Sequence, residues 1–253
     1  MKVNLEEFSH LTKVDPAKSL PSNLDVLTKT DAIIVGGSDN VTAANTRDTI
    51  KHIRKAAPSI PMLQEPYHQH QISSDTLDAI DGVAVPAVYN GDRAHFRDKH
   101  LAFFSALSAV PGDARVSQIP VLGSLIEARG RDRIKALTDR IIGEGYVIQH
   151  PDSRAATVTG ATTPCSTEQV IGAAIATETF YRFPIFYIEY SGMYGGPDDV
   201  AAAAPHLEDT LLVYGGGIRN GQQSAEILAA GADAIVVGDC FHNDLDRYLE
   251  TIP

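Results

Sequence analysis

Short β-rich runs that end in glycine, proline or polar residues alternate along this chain with helical patterns, and that alternation is the mark of βα units. The clearest strands are residues 31–35 (DAIIV), 82–85 (GVAV), 145–149 (GYVIQ), 185–189 (IFYIE), 211–214 (LLVY) and 233–237 (DAIVV), and weaker candidates at 8–14 and 60–64 bring the count to eight. Helices fit at 43–56, 94–109, 167–181, 198–207, 221–230 and 245–251. Eight strands without a linker in 253 residues predict an α/β fold, a closed (β/α)₈ TIM barrel forming a single domain over residues 1–253, because that fold takes about 250 residues. The strings DAIIVGG and DAIVVGD read as two buried parallel strands ending in tight turns. As second and eighth strands they do not fit a half-barrel duplication.

Two places break the rhythm. Residues 64–75 (QEPYHQHQISSD) are polar and poorly periodic, which leaves no clear helix after the third strand. Residues 111–140 are longer than one βα connection needs and are expected to form an insertion.

Charge narrows the function classes. With 32 acidic and 21 basic residues the net charge is −11, against a nucleic-acid surface, which needs clustered Lys and Arg. Such acidity suits a protein of high-salt cytoplasm as well as an ordinary acidic enzyme. No apolar run approaches the roughly 20 residues of a membrane span, and MKVNLEEFSH has neither an apolar core nor a cleavage site, so a cytoplasmic location is expected. Cys165 and Cys240 lie far apart and read as free thiols. Tyr67, His68, Gln69 and His70 offer no third metal ligand nearby and read as a solvated loop.

The residues that carry chemistry sit at strand ends. Gly215, Gly216, Gly217, Ile218, Arg219 and Asn220 follow the seventh strand, and Gly238 and Asp239 the eighth. In barrels these two loops commonly bind phosphate through backbone N–H groups, although a triple glycine can also be only a sharp turn. Lys13 and Asp15 share a face of the first strand. They read alone as a surface ion pair, and beside a phosphate site as a cation with a Mg²⁺ ligand, to which Ser38 could add an oxygen. On the sixth strand Tyr187 and Glu189 share the inward face. A buried Glu needs either a partner, such as Tyr187, Ser191 or a lysine, or a role as a base.

Taken together, LTKVDPAK (11–18), TDAIIVGGSDNVT (30–42), FPIFYIEYSG (183–192), YGGGIRNGQQSAEILAAGADAIVVGD (214–239) and, more weakly, GYVIQHPDSRAA (145–156) resemble the geranylgeranylglyceryl phosphate synthase family and its bacterial heptaprenylglyceryl phosphate synthase relatives. The likeness spans nearly the whole chain in order, and YIEYSG together with GGGIRN is specific to that family. It implies a barrel whose third helix is replaced by an extended segment. It also implies a prenyltransferase that joins geranylgeranyl diphosphate to the C3 hydroxyl of sn-glycerol 1-phosphate, the first ether bond of archaeal lipids, with a longer heptaprenyl donor as the alternative.

Carried over by residue, Lys13 contacts glycerol 1-phosphate, and Asp15 and Ser38 hold Mg²⁺. Tyr187, Ile188, Glu189, Tyr190, Ser191 and Gly192 hold the glycerol, with Glu189 as proton acceptor. Gly217, Gly238 and Asp239 hold the phosphate, Asp239 standing where the family pattern has Asn. The prenyl chain is expected in an apolar groove beside the mouth, stopped by Phe96, Phe103, Phe104 or the insertion. The acidic composition points to a haloarchaeal source and so to the C20 donor. A homodimer and a transient membrane-surface contact for product release are further expectations. The rivals are another phosphate-handling barrel, such as an isomerase of histidine biosynthesis or thiamine phosphate synthase, and a non-catalytic phosphate binder.

Overall fold

The structure, a computed structural model, describes residues 3–37, 39–68, 71–108 and 135–253. Eight parallel strands close into a barrel in sequence order: β1 (His10–Val14), β2 (Ala32–Val35), β3 (Met62–Gln64), β4 (Gly82–Val88), β5 (Ile141–Ile148), β6 (Ile185–Glu189), β7 (Leu211–Gly215) and β8 (Ala234–Val237), with β8 paired to β1. Outside it run α1 (Ala43–Ala56), α2 (Ser74–Ala79), α3 (Lys99–Ser108), α4 (Arg154–Thr159), α5 (Thr167–Ile175), α6 (Pro197–Ala203), α7 (Gly221–Ala229), α8 (Asp239–Asn243) and α9 (Leu245–Glu250).

Period-two alternation divides each strand between two cores. On β6, Phe186 and Ile188 point outward and join Val35, Leu212, Tyr214 and Ile235 beneath the helices. Ile185 and Tyr187 point inward with Ile34, Leu63, Tyr146, Val213 and Val236. The eight expected strands are all present, with β4 longer than expected and β5 starting four residues earlier.

The segment after β3 is extended only in part. The described residues between 65 and 73 carry no α-helix, but the six-residue α2 follows, started by a capping box in which Ser73 and Thr76 satisfy each other's backbone N–H. A helix this short cannot persist on propensity. Two arginines from elsewhere complete its end: Arg54 donates to Ala79 O at 3.1 Å, and Arg140 donates to Leu77 O at 2.9 Å and to Ile80 O at 3.0 Å. Most of the expected insertion, residues 111–134 of 111–140, lies outside the described residues. Cys165 and Cys240 are free thiols, and among the described residues no helix is long and apolar enough to cross a membrane.

Candidate active site

A cavity of about 480 Å³ opens where the strands end. Lys13 and Asp15 reach it from β1, Gly36 and Gly37 from β2, Tyr187, Glu189, Ser191 and Gly192 from β6, Gly215–Arg219 from β7 and Gly238 with Asp239 from β8. The three clusters of strand-end residues therefore share one mouth. The side chain of Ile188 lies instead in the outer core, and Tyr190 donates its hydroxyl to Asp199 and packs against Tyr214. Neither lines the cavity. Inward and outward positions alternate through residues 187–191, so only every second side chain of this segment can face a ligand.

Glu189 is 3% exposed and accepts hydrogen bonds from the hydroxyls of Tyr146 and Ser191. Burial, only partly offset by Lys13 and the two hydroxyls, pushes its carboxyl above the usual range, as suits a proton acceptor. Tyr187 is not its hydrogen-bond partner; its ring stacks on Tyr146 with centroids 4.5 Å apart.

Lys13 does not pair with Asp15. Its ammonium donates to both oxygens of Glu65, at 3.0 and 2.7 Å, and lies 6.0 Å from the centroid of the Tyr187 ring. Burial favours the neutral amine, but Glu65 with Glu189 and Glu144 outweighs it and holds the ammonium above its ordinary value. Glu144 is 1% exposed and its Oε2 accepts no hydrogen bond among the described residues. Burial and the nearby Glu65 push its carboxyl well up, toward the protonated form.

Asp15 is anchored by two contacts. Its N–H donates to His242 Nε2 at 3.0 Å, and its Oδ1 accepts the Ala17 N–H at 2.9 Å. His242 Nδ1 stands 3.1 Å from Ser19 O, so the ring donates there and accepts from Asp15, a neutral tautomer consistent with burial lowering its pKa. A Cβ at Gly37 would stand 2.6 Å from Asp15 Oδ1, so the glycine leaves the carboxylate its room. Among the described residues no three His, Cys, Asp or Glu side chains form a metal cage. A single carboxylate at the mouth nonetheless fits the way Mg²⁺ is held, through one or two carboxylates with water and ligand oxygens completing its shell. Ser38 lies outside the described residues.

The glycines after β7 are required by close approach. A Cβ on Gly215 would fall 1.9 Å from the Tyr187 hydroxyl, on Gly216 2.3 Å from Tyr190 Cβ, and on Gly217, at φ +60°, 2.1 Å from Tyr194 N. The loops after β6 and β7 therefore interlock, with Gly217, Gly238 and Asp239 in the cavity wall. The Asp239 carboxylate is engaged by Lys18 at 2.7 Å, which offsets its negative charge in the cavity wall.

Sequence reasoning missed Lys18, Lys99, Arg154 and His242, all in the wall. Lys18 falls within the LTKVDPAK string, which was its one available signal. The other three sit on helices and carry no strand-end mark. Lys99 is pushed down to about 8 by burial, against the pull of Glu65 and Glu144. Of the expected groove stops, Phe96 packs against Tyr89 and Tyr181, Phe104 is 44% exposed, and neither lines the cavity. The Phe103 side chain lies outside the described residues.

The profile of the PcrB family matches residues 1–253. A heptaprenylglyceryl phosphate synthase of Lysinibacillus sphaericus is 34% identical over 254 residues, covering 97% of this chain and 95% of that protein. Among solved structures, (S)-3-O-geranylgeranylglyceryl phosphate synthase from Thermoplasma acidophilum, in complex with its substrate sn-glycerol-1-phosphate, aligns with a TM-score of 0.70 at 20% identity over 97% of this chain and 91% of that one. The wild-type GGGPS from Thermoplasma volcanium aligns with a TM-score of 0.69 at 20% identity over 97% and 92%.

The interlocked loops set one expectation. Gly217→Ala should lower stability by roughly 1–3 kcal/mol in urea unfolding, from backbone strain and displacement of the 193–194 segment. A change below about 0.5 kcal/mol, the size of an ordinary surface substitution, would show that the loop accommodates a side chain.

Proposed function

The chain belongs to the PcrB family of prenylglyceryl phosphate synthases, and we propose that it transfers the geranylgeranyl group of geranylgeranyl diphosphate to the C3 hydroxyl of sn-glycerol 1-phosphate, with Mg²⁺ as cofactor. The observation that carries this reading is the convergence on one mouth of a buried, hydroxyl-oriented Glu189, the cation Lys13, the carboxylate Asp15 and the paired glycine loops. The acceptor is supported by the relative whose structure holds sn-glycerol-1-phosphate.

The two halves of the mouth suit the two substrates. Backbone N–H groups at Gly217 and Gly238–Asp239 would hold the acceptor's phosphate, with Lys13 placing a positive charge over the glycerol. Glu189 accepts the proton of the C3 hydroxyl as the allylic C–O bond to diphosphate breaks and the ether C–O bond forms. Tyr146 and Ser191 orient that carboxylate, and Ser191 and Gly192 line the cavity with it. Asp15 would hold Mg²⁺, which when bound neutralises the diphosphate leaving group.

The prenyl chain would run along the apolar side of the mouth, over Pro86, Val88, Ile148 and Val158. The acidic composition, with a net charge of −11, supports the C20 donor through the haloarchaeal source it suits. The family also contains the heptaprenyl enzyme, so the C35 donor is the second reading.

Asp15→Asn is expected to abolish turnover while sn-glycerol 1-phosphate still binds, since the metal serves the diphosphate; near-normal Mg²⁺-dependent activity would remove Asp15 from that role. Glu189→Gln should lower kcat by roughly 10²–10⁴. In the wild type kcat/KM should rise with pH as the raised Glu189 pKa is crossed, because only the ionised carboxylate accepts a proton, and this limb should vanish in the variant. Competition between C20 and C35 diphosphates at equal concentration, read by product mass, decides the donor; mainly C35 ether would overturn the C20 assignment and keep the reaction class.

A further inference from the structure

Tyr67 lines the mouth beside Pro66 and Val158. Tyr67, three residues past β3, reaches toward α4, where its hydroxyl donates to Val158 O at 2.8 Å and meets His95 Nε2 at 2.6 Å. His95 Nδ1 in turn lies 2.9 Å from Asp92 Oδ1, and the same oxygen accepts the His95 N–H at 3.0 Å. The Tyr67 and His95 rings lie within 17° of parallel, with centroids 5.2 Å apart. Asp92 N donates to Thr159 O at 2.8 Å, which ties the loop after β4 to α4 independently of the tyrosine. Three segments distant in sequence therefore meet on one phenol oxygen.

What Tyr67 can offer a ligand follows from that accounting. A phenol has one hydrogen to donate, and Val158 O, which can only accept, takes it. His95 Nε2 stands on the other side of the same oxygen, and Asp92 Oδ1 holds the far nitrogen of that ring. With its hydroxyl engaged on both sides, Tyr67 presents only its ring to the cavity it lines. Lys13, Asp15 and the glycine loops stand at the ends of β1, β2, β7 and β8, whereas Tyr67 meets Val158 on α4, with the Arg154–Asp39 ion pair near its hydroxyl and Pro86 and Val88 in the same cavity wall. A tyrosine held in this way is a rigid apolar surface that loses little freedom when a hydrocarbon packs on it.

We propose that Tyr67 is a positioning residue for the prenyl donor: Asp92, His95 and Val158 O fix its ring as the wall against which the donor's hydrocarbon chain packs. This rests on the reading that the mouth takes a prenyl diphosphate, and the test separates the two. Calorimetric titration with slow-reacting geranylgeranyl S-thiolodiphosphate would be run on the wild type, Tyr67→Phe, His95→Asn and Tyr67→Ala, with inorganic diphosphate reporting on the head group alone.

Tyr67→Phe keeps the ring and loses the tether, and should weaken the thiolodiphosphate by roughly 3–10-fold. His95→Asn should fall between it and the wild type. Tyr67→Ala should lose roughly 10–100-fold, as expected for removing a buried aromatic wall. Inorganic diphosphate affinity and the KM for sn-glycerol 1-phosphate should stay unchanged throughout. Equal thiolodiphosphate affinity in Tyr67→Ala and the wild type would overturn the proposal, as would a parallel loss for inorganic diphosphate, which would mark a general loosening of the fold. A wild type that binds inorganic diphosphate but gains nothing from the prenyl chain would overturn the prenyl reading of the mouth, and the proposal with it.

Discussion

Three glutamates, Glu65, Glu144 and Glu189, stand inside or at the mouth of the barrel, and keeping that charge out of water is the constraint around which the site is built. A carboxylate withdrawn from solvent without compensation costs several kcal/mol. Each of the three is compensated differently. Glu65 is paired with Lys13 through both oxygens, Glu189 receives two hydroxyl donors, and Glu144 is pushed toward its protonated form. Only the second solution leaves a carboxylate that faces the cavity without a cation in direct contact. A proton acceptor for a neutral hydroxyl needs that arrangement.

The same compensation bears on how a chain of net charge −11 would host the two anionic substrates proposed for it. Its mouth collects Lys13, Lys18, Lys99, Arg154 and Arg219, but several of these are already engaged: Lys13 with Glu65, Lys18 with Asp239 and Arg154 with Asp39 at 2.6 Å. The local positive field is thus moderated, and backbone N–H groups of the glycine loops suit a phosphate without adding formal charge. Those glycines also let the loops after β6 and β7 interpenetrate, a Cβ on Gly215, Gly216 or Gly217 falling within 2.3 Å of a facing atom.

Legibility in the sequence followed the strength of local patterning. Strands buried on both faces read as continuous apolar runs, and β2, β4, β6, β7 and β8 were visible for that reason. The six-residue α2 was not, because its end is completed by Arg54 and Arg140 from other elements. The inward alternation of Tyr187, Glu189 and Ser191 was available from period two, and taken strictly it would also have turned Ile188 and Tyr190 away from the mouth. The partner of Lys13 was beyond reach, because Glu65 lies 52 residues away in a stretch with no periodicity.

Local chemistry and spacing alone thus determined the barrel, the placing of Lys13, Asp15, Glu189 and the glycine loops at strand ends, and the family resemblance, since each depends on neighbours within a few residues. Strand pairing decided what remained. Closure of β8 onto β1 brought His242 to Asp15 and Lys18 to Asp239, while the pairing of β5 with β6 brought Tyr146 to Glu189 and that of β3 with β4 brought the Asp92–His95 pair to Tyr67. These contacts join residues as far as 227 positions apart. No local pattern encodes such pairs, because what selects them is the burial of charge and polar groups once the barrel has closed.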